Sequence, residues 1–118
     1  ILKTGPIQEK GRTWMGSEGW TEVDVRVRML IMRVQKRFGR RLLITSGFRS
    51  EEYNKLVEGG VKNSKHIQKI ALDVRWEGFN IQTVRDFTFT ARDEGFRGIG
   101  VYSTFIHVDL GPVRAWSG

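Results

Sequence analysis

NSKHIQKIALDV at residues 63–74 and FIHVDL at residues 105–110 contain both histidines of the chain and decide how the rest of it is read. The first stretch ends in a strand-like alternation. Ile70, Leu72 and Val74 point one way, and Ala71, Asp73 and Arg75 the other, so Asp73 lies on the polar face. In the second, Ile106, Val108 and Leu110 form the apolar face, while Phe105, His107 and Asp109 project together on the opposite side. Two strands therefore offer a carboxylate and an imidazole. If they are neighbours in one sheet, His66 at the mouth of the first strand completes a His/Asp/His set and leaves a fourth tetrahedral position open for water, as in a catalytic zinc site. Taken singly, each histidine would be no more than a hydrogen-bonded or exposed strand-end residue.

Working outward, Val27, Leu30, Ile31, Val34 and Phe38 fall at helical spacing in a segment from about Glu22 to Phe38, with Gly39 as its stop. Val23, Val25 and Val27 also alternate like a strand, which leaves the helix start open by several residues. RLLITSGF then reads as a buried strand over 41–46 that runs into a loop. Ser50 caps a short helix over 51–57, with Glu51 and Glu52 in its first turn. Gly59-Gly60 is a turn or a place where backbone approaches a ligand. Asn80 caps a second long helix reaching about Glu94, with Ile81, Val84, Phe87 and Ala91 inward and Gly95 as its stop. Strands around 98–102 and 105–110, joined at Ser103 and Thr104, make an antiparallel hairpin that returns His107 to the sheet.

The class this order predicts is α+β: a single domain with a small, mainly antiparallel sheet packed against helices and the zinc site on the polar sheet face. Residues 1–19 are expected as an irregular N-terminal arm, with Trp14 packing on the domain edge or meeting a partner, and residues 20–118 as the domain. A chain of 118 residues suits one core and no internal boundary. No stretch approaches the roughly 20 apolar residues of a membrane span. With no cysteine, disulfides and thiolate metal sites are excluded, so any metal must use imidazole and carboxylate. No signal peptide is visible in a sequence that starts at Ile1.

A net charge of +7 suits a polyanionic partner, either nucleic acid or an anionic bacterial cell wall, or simply a solvated surface. Lys36, Arg37, Arg40 and Arg41 are the densest basic cluster, but at a helix end cations are also favoured by the macrodipole. No nucleic acid is expected as a partner, because the basic residues come without a recognised reading helix or RNA-binding motif.

SGFRS at 46–50, YN at 53–54, GG at 59–60, NSKH at 63–66, ALDV at 71–74, GIGVY at 98–102 and FIHVDLGPVRAW at 105–116 occur in an order that resembles the M15 family of zinc peptidases. The likeness is to the branch of D-Ala-D-Ala carboxypeptidase-like and murein endopeptidase domains of bacteria and phages, and it covers roughly residues 20–116. The resemblance implies zinc (Zn2+) as cofactor, held by His66, Asp73 and His107, and a peptidoglycan peptide as substrate. Arg49 matches the family's SGYR-type arginine, which implies an oxyanion stabiliser or a clamp for a substrate carboxylate; its other role is a surface ion pair. Ser64 matches the small hydroxyl residue before the first ligand, where it orients the loop or donates a supporting hydrogen bond.

Two positions depart from the family pattern. Relatives carry an acidic residue three positions before the last histidine ligand, whereas Thr104 stands here, and a threonine does not take a proton near neutral pH. Asp109, on the same face as His107, is the local acid that could act as base or could instead fix an imidazole. Tyr102 could donate to a tetrahedral intermediate or simply pack. Lys69 stands where the family has glycine. If that position needs a positive φ, lysine strains it by about 1 kcal/mol or more.

Two functional classes follow. The first is a zinc metallopeptidase cutting peptidoglycan peptides at the cell wall, as a D-amino-acid carboxypeptidase or a murein endopeptidase, with a phage lysis or virion-associated enzyme as one setting that fits. The second is a non-catalytic binding or structural module that keeps the fold, for example in a phage tail assembly.

Overall fold

The computed structural model describes residues 7–8, 17–19, 23–46, 48–49, 65 and 69–118. Its elements are β1 (Ile7–Gln8), β2 (Ser17–Gly19), α1 (Val25–Phe38), β3 (Leu42–Ser46), β4 (Phe48–Arg49), β5 (Ala71–Trp76), α2 (Ile81–Glu94), β6 (Gly98–Val101), β7 (Ile106–Asp109) and β8 (Arg114–Ser117). The main sheet runs β1-β3-β5-β7-β6-β8, and β2 pairs with β4 in a separate two-stranded ribbon. Its three central pairings are antiparallel, and only the outer pairs, β1 with β3 and β6 with β8, are parallel. The α+β architecture expected from the sequence is therefore present.

Each helix is delimited by its own residues. Asp24 caps α1, its carboxylate accepting from the Arg26 amide at 2.8 Å, and Gly39 ends it at φ 79°, a conformation open to glycine at little cost. This cap puts the helix start at Val25, late in the window left open by the valine alternation. Asn80 caps α2 by accepting from the amides of Gln82 and Thr83, and Thr83 Oγ1 accepts from the Asn80 amide at 3.0 Å, which closes a reciprocal capping box. The buried stripes are Val27, Ile31, Val34 and Gln35 on α1, and Thr83, Val84, Phe87, Thr90 and Ala91 on α2. Arg37 joins the two helix ends through Asp93 and Glu94, so part of the basic cluster serves an internal contact.

Both helices pack on one face of the sheet. Leu42, Ile44, Leu72, Val74, Trp76, Ile99, Ile106 and Val108 meet them there. Trp76 fills the centre, with its ring 4.8 Å from Phe38 and 4.9 Å from Phe87, and its Nε1 donates to Thr83 Oγ1 at 2.9 Å, so its one polar atom is satisfied inside the core.

Several boundaries moved by a residue or two, and four strands were not foreseen; one of them, Phe48–Arg49, falls where a loop was expected and pairs with Ser17–Gly19. Ile7–Gln8 and Ser17–Gly19 fall within the arm expected to be irregular, where two and three residues are too few to show a period. Arg114–Ser117 is a parallel edge strand of sequence RAWS, whose Arg and Trp hid its alternation. The expected helix over 51–57 and the Gly59-Gly60 turn lie outside the described residues.

Lys69 adopts φ 64°, and among the described residues it is the only non-glycine with positive φ. Its carbonyl accepts from the Asp24 amide at 2.7 Å, so the turn before β5 is bonded to the start of α1. The left-handed conformation costs a lysine about 1–2 kcal/mol, and glycine would remove that cost while losing part of the gain to chain entropy. Lys69→Gly should therefore stabilise the fold by about 0.5–1 kcal/mol, read as a higher midpoint in urea denaturation.

Candidate metal and catalytic site

The site lies on the sheet face opposite the helices, and strand register builds it. Asp73 on β5 stands directly across from His107 on β7, His107 across from Gly100 on β6, and Gly100 across from Trp116 on β8. The neighbouring row on the same face runs Ala71, Asp109, Gly98, Arg114. Side chains directly opposite on one face of an antiparallel pair have Cβ atoms about 4.5–5.5 Å apart, so register alone brings Asp73 and His107 within contact.

His107 is held from both sides. Its Nδ1 lies 3.0 Å from Asp73 Oδ1, and its Nε2 lies 2.6 Å from Asp109 Oδ2. The relative exposures are 5% for Asp73, 9% for His107 and 0% for Asp109, so these are buried polar groups that need their partners. Asp109 also accepts from the Gly111 amide at 2.8 Å and from Arg114, whose Nη1 reaches Oδ1 at 2.9 Å and Nη2 reaches Oδ2 at 2.7 Å.

The glycines of β6 make room for this arrangement. A Cβ at Gly98 would overlap the Asp109 carboxylate and the Arg114 guanidinium, and one at Gly100 would overlap the Trp116 indole. Arg114 and Trp116 therefore lie back across β6 toward β7. The Trp116 ring reaches 5.3 Å from the His107 ring, its Nε1 donates to Tyr102 Oη at 2.8 Å, and the Arg114 guanidinium sits 4.9 Å from its centroid. Tyr102 in turn stacks on Phe105 with centroids 4.5 Å apart.

Charge follows from these contacts. Burial pushes the His107 imidazole down, but the hydrogen bonds to Asp109 and Asp73, together with their charges, outweigh it and raise its pKa to about 9. Burial pushes the Asp109 carboxyl up, and here too the opposing contacts prevail: His107, Arg114 and the Gly111 amide hold it well below the usual carboxylate range. A carboxylate with no exposure, both oxygens engaged and so weak a hold on a proton is suited to orienting an imidazole rather than to accepting protons.

A divalent cation fits the donor set on the other side of the ring. Asp73 Oδ1 and His107 Nδ1 are 3.0 Å apart, near the roughly 3.3 Å between neighbouring ligands of a tetrahedral zinc. A metal replacing the proton between them would be held by both, with the Nε2 proton still donated to Asp109. Among the described residues no three histidine, aspartate or glutamate side chains converge as a ligand group. The third expected ligand, His66, lies outside the described residues, as does Ser64. For Arg49 the structure describes the backbone, in β4 opposite Ser17 of β2. Lys65 and Ile70 are described: Lys65 O accepts from the Ile70 amide at 3.1 Å, and Ile70 O accepts from the Leu110 amide at 3.2 Å, beside Asp109. The Lys65 side chain crosses close over Gly111.

Arg114, Gly98 and Gly100 were missed as contributors to the site. Their signal is G-x-G in one strand and R-x-W in the next, which becomes meaningful once those strands are known to be neighbours.

Residues 11–109 match the family described as Peptidase M15, and the chain belongs to that family. It is 38% identical over 81 residues, 64% of this chain and 42% of the relative, to the probable peptidoglycan L,D-endopeptidase MepK of Haemophilus influenzae. It is 32% identical over 94 residues, 73% of this chain and 50% of the relative, to the peptidoglycan L,D-endopeptidase MepK of Escherichia coli K12. The chain thus spans half or less of the length of these curated relatives.

The raised pKa of His107 makes the metal-free protein sensitive to base. The unfolded imidazole titrates near 6.5 and the folded one near 9, so the stabilisation is complete below pH 6.5 and is lost as pH rises through 9. Denaturant melts of the metal-free protein should lose up to about 3 kcal/mol between pH 6 and 9.5. A His107→Gln variant should show a much flatter profile over that range.

Proposed function

We propose that this chain is a zinc-dependent peptidase that hydrolyses peptide bonds of bacterial peptidoglycan, acting within the stem peptides as an endopeptidase. The observation that carries this reading is the register pair of Asp73 and His107, buried on the sheet face away from the helices, in a chain of the M15 family. The names of both relatives favour cleavage of an L,D bond over removal of a terminal residue. The basic charge suits a substrate embedded in an anionic wall, reached by export or by phage delivery. Among the described residues no helix is long and apolar enough to cross a membrane.

In this reading His66 joins Asp73 and His107 as the metal ligands. Zinc, when bound, supplies Lewis acidity toward the scissile carbonyl and brings the pKa of water toward neutrality. Asp109 keeps the His107 ring in the orientation and tautomer that leave Nδ1 for the metal. Arg49 contributes a fixed cation, either to the oxyanion or to a substrate carboxylate. Tyr102 holds the Trp116 indole beside His107, and Ser64 supports the loop that carries His66.

The second reading, a non-catalytic module on the same fold, draws on Thr104. It stands in the exposed hairpin turn, at the position where the family carries an acidic residue.

Elemental analysis of protein purified without chelator, followed by digestion of purified peptidoglycan, separates the two. The peptidase reading requires one zinc per chain and chelator-sensitive release of peptide fragments with new L- and D-residue ends. His66→Ala and His107→Ala should each abolish release and most zinc retention. Bound zinc without any release, across substrates from several bacterial walls, favours the module.

A further inference from the structure

We propose that Arg114 is a positioning residue for the metal site: reaching across Gly98, its guanidinium fixes the Asp109 carboxylate, which holds the His107 Nε2 proton and so keeps Nδ1 turned toward Asp73. The inference rests on the zinc reading above and extends it to a residue on the edge strand.

Three observations carry it. First, the contact is a two-pronged one, Nη1 to Oδ1 at 2.9 Å and Nη2 to Oδ2 at 2.7 Å, which fixes the plane of the carboxylate as well as its place. Second, the guanidinium is itself held. Nη1 also donates to Pro112 O at 2.9 Å, the group lies 4.9 Å from the Trp116 ring centroid, and the backbone carbonyl of Arg114 accepts from Arg92 Nη2 of α2 at 3.1 Å. Third, the path is cleared for it, because any side chain at Gly98 would occupy the space where guanidinium and carboxylate meet.

An exposed ion pair would contribute little. This one differs because Asp109 is fully buried. Losing Arg114 would remove two of the donors that hold its oxygens and free the carboxylate to turn away from Nε2. Asp109 and His107 alone would still be bonded, but neither would be fixed against rotation from the β8 side. Lysine keeps the charge at 114 and loses the fork.

The test uses zinc affinity, measured by competition with a chromophoric chelator, and solvent exchange of the His107 Nε2 proton in the metal-free protein, read by nitrogen-15 NMR. The chain has two histidines, so a His66→Ala sample assigns the signals. Arg114→Met should weaken zinc binding by about tenfold or more and speed Nε2 proton exchange by a similar factor, with Arg114→Lys falling between it and wild type. Gly98→Ala, which keeps the arginine but crowds both the Asp109 carboxylate and the guanidinium, should also show both effects. A folded Arg114→Met protein with wild-type affinity and wild-type exchange overturns the proposal. If Arg114→Met does not fold, Arg114→Lys carries both measurements with the same criteria. If the wild type binds no zinc, the zinc reading fails, and the exchange measurement still decides the role of Arg114.

Discussion

The register between β5 and β7 is the constraint on which the rest of the molecule depends. Because side chains alternate across a strand, a slip of one residue would turn Asp73 into the helix-packed core and expose Val74 in its place. The core makes that slip prohibitive: Leu72, Val74, Ile106 and Val108 are all fully buried against α1 and α2. Hydrophobic packing on one face thereby fixes polar chemistry on the other. The energy that aligns His107 with Asp73 comes from side chains on the opposite face of the sheet.

That division of labour explains how much could be read from the sequence. The parity of IALDV and FIHVDL is a local property, and it correctly placed Asp73, His107 and Asp109 on one face of two strands. The caps were equally local: Asn80, Gly39 and Gly95 announce helix ends through their own backbone and side-chain chemistry. Lys69 was legible in a different way, since a lysine in place of glycine only signals strain if the turn keeps its left-handed residue, and it does.

What was not legible depends on who lies beside whom. Nothing in GIGV or RAWS taken singly states that they form neighbouring parallel strands, and only that adjacency lets Arg114 meet Asp109. The role of Asp109 was open for the same reason. Two residues from a histidine, it could have been base or orienter, and the choice turns on burial and on donors from Gly111 and Arg114 that lie across the β7–β8 connection. The short strands Ile7–Gln8 and Ser17–Gly19 were hidden by length, their pairing being set by partners far along the chain.

The place of β8 in the sheet also bears on how the site would open. β8 is an outermost strand of the described sheet and pairs with β6, and its residues alternate between half-buried and exposed, whereas those of β7 are all buried. Segments with few buried contacts open at a lower free energy than the core they border. Fraying of β8 would thus release Asp109 from Arg114 while the helix-packed core and the β5–β7 pair stay closed.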